Sequence, residues 1–163
     1  MKTNTPSSSD LLGSASQRVT PILTLPDIHT ALDFYRRAFD AVEVMRLTGD
    51  NKFVIHAELE VFGARIVLTS NSNSYGTAPD ALRGSTVVIH IYVADADQVV
   101  SQAIANGAHQ IAPVSDKFYG ERSAVLKDPF GHIWNIAALR QKLSAEEIQQ
   151  RWNELTRPTP PSR

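Results

Sequence analysis

Between Ile28 and Phe39 apolar residues recur at helical spacing: Ile28, Ala31, Leu32, Tyr35, Ala38 and Phe39 fall on one face. An alternating apolar run, "VTPILTLP", precedes them, and Asp27 stands between the two as a predicted N-cap whose carboxylate accepts orphan backbone N–H groups. The same order of signals returns later in the chain. "VTPILTLPDIHTALDFYRRAFDA" (Val19–Ala41) is matched by "VVIHIYVADADQVVSQAIANGAH" (Val87–His109), with Leu23, Leu25 and Asp27 corresponding to Ile91, Val93 and Asp95. In the second copy Val99, Val100, Ala103 and Ile104 mark the helix, and Gly107 is placed to end it in a left-handed conformation.

Three strand-like runs follow each helix. After the first come "VEVMRL", "KFVIHAELEV" and "ARIVLTS", with a tight turn at Phe62–Arg65; after the second come "HQIAPV", "SAVLKD" and "HIWNIAAL". The chain therefore reads as an α+β fold of two βαβββ modules. Sheets covered by helices on one face leave the other free, and two of them can enclose a cavity. We expect a flexible polar arm over 1–17, then one domain over 18–156. That domain comprises a first repeat at about 18–70, a linker over 71–85, a second repeat at about 86–140 and a C-terminal helix over 143–155; 157–163 is a tail. In that last helix Ser144 and Glu147 form a capping-box pattern, and Ile148, Trp152 and Leu155 share a face.

Composition narrows the function classes. A net charge of −1 over 163 residues leaves no electrostatic footprint for nucleic acid or an anionic membrane. No apolar run approaches the ~20 residues of a membrane span. Cysteine is absent, which excludes disulfides, thiolate catalysis and Cys-based metal sites. The N-terminal stretch is a poor secretory signal, so cytoplasm is the expected compartment.

The segments "PILTLPDIHTALDFYRRAFDA", "HAELEV", "HIYVADAD", "DKFYGERSAVLKDPFGHIW" and "LSAEEIQQRW", in that order, resemble the vicinal oxygen chelate superfamily of glyoxalases, bleomycin-resistance proteins and extradiol dioxygenases, and within it the PhnB-like branch. The likeness spans about Arg18–Leu155. It implies two curved mixed sheets around a cavity with helices outside, a small-molecule ligand and a homodimer. Metal-dependent members carry one ligand on each of four strands. Position by position these fall at Thr20, Val67, Val88 and Asn135, none of them a normal ligand for a divalent cation. No cofactor and no standard metal site are therefore expected.

Strand alternation places Thr20, Ile22 and Thr24, Val88, His90 and Tyr92, and His56, Glu58 and Glu60 opposite the helices. Leu23, Leu25, Ile55, Ala57, Leu59, Val61, Ile89, Ile91 and Val93 face the core. His56, Glu58 and His90 are the candidates for acid–base chemistry or an unconventional metal site; a plain pocket lining is the simpler role for them. Glu58 equally suits a solvated edge. Asn135 marks a ligand position and is a candidate to hydrogen-bond a bound molecule, while Trp134 beside it points to the core. Phe118, Tyr119 and Arg122 in "DKFYGER" would clamp a flat or anionic ligand at the cavity mouth, or pack under the loop. His132 reads as structural, and His29 and His109 as surface residues. The functional choice lies between a metal-independent small-molecule binder, of the sequestering or resistance kind, and a lyase, isomerase or dioxygenase built on His56, Glu58 and His90. An interaction scaffold built on the C-terminal helix is the third reading; packing on the body or on a dimer mate explains that helix more simply.

Overall fold

The computed structural model describes residues 19–50, 52–71 and 76–157. The arm expected over 1–17 lies outside them, as do most of the tail and four linker residues. The first repeat folds as β1 (Ile22–Leu25), α1 (Ile28–Phe39), β2 (Val42–Thr48), β3 (Val54–Val61) and β4 (Ala64–Ser70). The second gives β5 (Val88–Tyr92), α2 (Ala96–Ala105), β6 (His109–Asp116), β7 (Glu121–Lys127) and β8 (Ile133–Leu139), and α3 (Ala145–Leu155) follows. Two four-stranded sheets result, ordered β1-β4-β3-β2 and β5-β8-β7-β6. In each, the strand before the helix pairs in parallel with the last strand of its module, and the other pairings are antiparallel.

Local chemistry sets these boundaries. Asp27 caps α1 by accepting from the backbone N–H groups of His29 and Thr30, each at 3.1 Å, and from the Thr30 hydroxyl. Asp95 repeats the device on α2 through Gln98 N–H at 3.1 Å. Beyond α2, Gly107 takes φ +108°, open to glycine at little cost. Ser144 and Glu147 close a reciprocal capping box on α3. Phe62 and Gly63, with φ of 48° and 80°, make the two-residue hairpin that joins β3 to β4.

The helix-facing sides of both sheets, α1 and α2 form one continuous core. Trp134, Tyr35, Phe39 and Leu126 are fully buried in it, each contributing roughly 1.5–3 kcal/mol by burial. Rings of α1 reach into the second module: Tyr35 and Phe39 lie 5.7 and 4.9 Å from Trp134, and Phe34 lies 5.9 Å from Phe130. Asp128 locks this junction. Its Oδ2 accepts from the Tyr35 hydroxyl at 2.7 Å and from Trp134 Nε1 at 3.0 Å, while Oδ1 accepts from the Phe130 and His132 amides. Burial, then the Asp128 carboxylate, push the Tyr35 phenol well above its usual range. His132 adds a second tie, with Nε2 3.1 Å from the Thr24 carbonyl oxygen. The turn "DPFGH" thus fastens one repeat to the other.

One expectation changes. Ile55 does not face the core; it is 41 % exposed, and Val54 is buried instead. A bulge explains this, since Leu47 pairs with His56 and Thr48 with Val54, so that Ile55 is skipped and the alternation shifts by one. The sheets are laid out as the duplicated module predicts. Here α1 and α2 pack on one another within the common core, and the helix-free face of each sheet stays open. Ile22, Leu47, Val88 and Tyr92 on those faces are 45 %, 50 %, 54 % and 56 % exposed.

Candidate functional site

The polar residues singled out by alternation do lie on the helix-free faces, but in two separate groups. On the first sheet His56 and Glu58 stand on β3, an interior strand, so Glu58 is not on an edge. His56 Nε2 is 3.6 Å from Glu58 Oε1, and Glu58 Oε2 accepts from Arg65 Nη1 at 2.6 Å. Thr24 and Thr69, both buried, lie on the same face through the registers Thr24–Thr69 and His56–Thr69.

On the second sheet His90 and Tyr92 stand on β5 and Asn135 on β8, His90 directly opposite Asn135. Asn135 Nδ2 is 2.8 Å from His90 Nδ1. With the amide as donor, His90 keeps its proton on Nε2, the nitrogen 4.0 Å from Glu121 Oε1. The Tyr92 hydroxyl donates to the same Glu121 oxygen at 2.5 Å, and its ring meets that of His90 edge-on at 4.7 Å. The hydrogen bond to Glu121, then partial burial, raise the Tyr92 phenol above its ordinary value; Tyr119 adds a smaller upward push. His90–Asn135 and Tyr92–Glu121 are therefore two hydrogen-bonded pairs, set side by side by the edge-on contact of the His90 and Tyr92 rings. His56 and Glu58 stand on the other sheet, so one chain does not assemble His56, Glu58 and His90 into one centre.

Glu121 is missing from the sequence expectations. The run "DKFYGER" reads as a loop there, so the strand was expected to start at Ser123; β7 starts two residues earlier. Carried back by two, the alternation puts Glu121 on the face of Ser123, and it could have been found that way.

The mouth residues part company. Phe118 and Tyr119 occupy the turn between β6 and β7, their rings 5.1 Å apart. Phe118 is held from the other side by Trp152 of α3 at 5.5 Å, and its carbonyl accepts from Arg151. Arg122 points to the helix side instead of the mouth. Its Nε and Nη2 donate to the two carboxylate oxygens of Asp97 at 2.6 and 2.8 Å, and Nη1 donates to Asp116 at 3.2 Å. Alternation is the reason, for Glu121 and Ser123 take the open face and Arg122 the opposite one. Trp134 is in the core, His132 is buried and structural, and His29 and His109 are exposed, as expected.

A separate recess of about 590 Å³ opens at the junction of the modules, walled by β1, the linker and β5, with Ile22, Leu82 and Val87 among its lining. None of the predicted site residues lines it.

The four positions that hold metal in metal-dependent relatives do not fit a cation. Val67 and Val88 have no donor, the Asn135 amide is engaged with His90, and Thr20 precedes β1 as an exposed neutral hydroxyl. Among the described residues no cluster of three or more His, Asp or Glu side chains is arranged to hold an ion.

The family model of the glyoxalase/bleomycin resistance protein/dioxygenase superfamily matches residues 17–136. An uncharacterized protein of Mycobacterium bovis is 34% identical over 135 residues, covering 80% of this chain and 89% of its own. The fold is similar to that of TioX from Micromonospora sp. ML1, with TM-score 0.60 and 22% identity over 74% of this chain and 98% of TioX. It is also similar to that of the fosfomycin resistance protein FosX of Listeria monocytogenes, complexed with Mn(II) and sulfate. There the TM-score is 0.58 and the identity 17%, over 84% of this chain and 98% of FosX. With its duplicated modules and the profile match over most of its length, the chain belongs to the glyoxalase/bleomycin resistance protein/dioxygenase superfamily.

Proposed function

We propose that this protein is a metal-independent small-molecule-binding member of the superfamily, of the sequestering or resistance kind and allied to its PhnB-like branch, working in the cytoplasm. The observation that carries the reading is the replacement of the metal donors by Thr20, Val67, Val88 and Asn135 beside an intact polar cluster on an open sheet face. A fold neighbour named for fosfomycin resistance is consistent with that role.

The binding unit is a homodimer. One chain offers two half-sites on the helix-free faces, His56–Glu58–Arg65 on one sheet and His90–Tyr92–Glu121 on the other. Twofold pairing brings the first half-site of one protomer over the second half-site of its partner, so both faces are buried at once. The apolar residues Met45, Leu47, Val88 and Leu139 exposed on these faces, and the uncovered stripe of α3, supply contact area. Tyr92, His90, Asn135 and the Phe118–Tyr119 turn then line the enclosed ligand.

Acid–base catalysis is the second reading. It is favoured by one arrangement, the tautomer-fixed His90 beside Glu121 and a Tyr92 whose phenol is raised.

A thermal-shift screen of flat aromatic compounds on chelator-treated protein tests the proposal. Hits should survive in chelator, and His90→Ala or Tyr92→Ala should abolish their shifts. Hits that turn over into new products, with loss of turnover in His90→Ala, would move the assignment to the catalytic reading.

A further inference from the structure

Glu121 is an oddity for a residue on an open sheet face. It is only 7 % exposed, and of its two carboxylate oxygens only Oε1 is engaged, by Tyr92. Among the described residues Oε2 is buried without a hydrogen-bond partner, and so is the hydroxyl of Ser123, the next residue along β7 on the same face. Alanines form the floor beside them; Ala137, opposite Ser123 on β8 and beside Tyr92 on β5, is fully buried yet lies outside the helix-side core. A buried carboxylate oxygen without a donor destabilises a fold, and such groups persist where something else supplies the donor.

Among the described residues no cation supplies it. Arg122 faces the helix side, where Asp97 and Asp116 hold it. Lys117, at the adjoining turn, donates to Ser115 at 2.7 Å. The donor that does reach Glu121, the Tyr92 hydroxyl, engages the other oxygen. The surroundings are thus acidic and partly apolar: Tyr92 contacts the same carboxylate, and Val88 and Ala137 lie on the same sheet face.

Resting on the binding reading above, we infer that this position recognises a protonated amine carried on a flat apolar body, the ammonium donating to Glu121 Oε2 and to the Ser123 hydroxyl. A charge-assisted hydrogen bond to a buried carboxylate gives the discrimination, because a neutral or anionic group leaves the carboxylate unsatisfied or opposed. The Tyr92 hydroxyl, bonded to Glu121 Oε1, positions the carboxylate.

Three probes of one shape separate the outcomes: benzylamine, benzyl alcohol and benzoate, titrated into the full chain at neutral pH and followed by NMR. Benzylamine should bind and the other two should bind far more weakly. Glu121→Gln should weaken benzylamine roughly ten- to hundredfold, the range for one lost hydrogen bond to a charged group, while leaving benzyl alcohol unchanged. Glu121→Leu, folded as judged by circular dichroism, should melt no lower than the parent and bind no benzylamine; a structural Glu121 would give a lower melting temperature instead. Equal binding of all three probes, insensitive to Glu121→Gln, would overturn amine recognition and leave the binding reading intact. Failure of all three probes and of the aromatic screen would remove both. A crystal grown in saturating benzylamine that shows only a fixed water or a partner's side chain on Oε2 would also overturn the inference.

Discussion

Asp128 spends one carboxylate on four buried donors from three places in the chain, and this makes it the most consequential single residue for stability. Asp128→Ala leaves the Tyr35 hydroxyl and the Trp134 N–H buried without an acceptor, and should cost about 3–5 kcal/mol in urea denaturation. Tyr35→Phe removes one donor and its bond together and should cost about 1 kcal/mol. Similar losses for the two variants would contradict this view of the network. The sequence exposed part of the design. "DPFGH" was readable as a turn, and Trp134 as a core residue, because alternation and turn chemistry are local. That Asp128 reaches Tyr35 across the repeat was not readable, since it depends on how the two modules dock. Glu121 was missed for a local reason, a strand that begins inside a stretch rich in loop formers.

At the scale of elements, the boundaries follow caps and periodicity, so both repeats were legible at full length. The bulge at Ile55 was not, because an apolar residue at an expected core position gives no hint that the strand slips there. Two attachments can be tested separately. Asp97 ties α2 to β7 through Arg122, and the hydrogen bond from Arg122 lowers its carboxyl below the ordinary 3.8. A depressed carboxylate contributes stability in full above its unfolded value and loses it as pH falls through the lower folded one. Stability should therefore decline below about pH 4, and Asp97→Asn should flatten part of that acid limb. Urea midpoints measured from pH 3 to pH 6 decide it; identical profiles would show the ion pair to be too solvated to matter. The helix α3 is joined to the body by Trp152 on Phe118 and by Arg151 on Phe118 and Gln141. Trp152→Ala should speed amide exchange in α3 and in the Lys117–Gly120 turn while α1 and the sheets keep their protection. Faster exchange spreading into α1 would mean that α3 supports the core.

For the whole molecule, the sheets' helix-free faces decide the account. Both are partly apolar, with Leu47, Val88 and Tyr92 exposed, and each carries its own polar group, His56 with Glu58 on one and His90 with Asn135 on the other. Sedimentation equilibrium should give twice the mass of the 17.9 kDa chain, and charged substitution at Leu47 and Val88 should shift the population to monomer with loss of aromatic-ligand binding. A monomer that keeps full affinity would place the ligand elsewhere, with the recess between β1 and β5 the next candidate. The resemblance in the sequence reached the fold, whose modules follow from local periodicity; how the two modules dock rests on long-range contacts such as Asp128 with Tyr35, which periodicity does not carry. The most direct test of the central claim is calorimetric titration of an aromatic hit from the screen into chelator-stripped protein, repeated after adding Mn(II), Ni(II), Zn(II) or Fe(II). Binding should be present without metal and unchanged by each ion. Affinity that appears only when one of the ions is added would contradict metal-independent recognition.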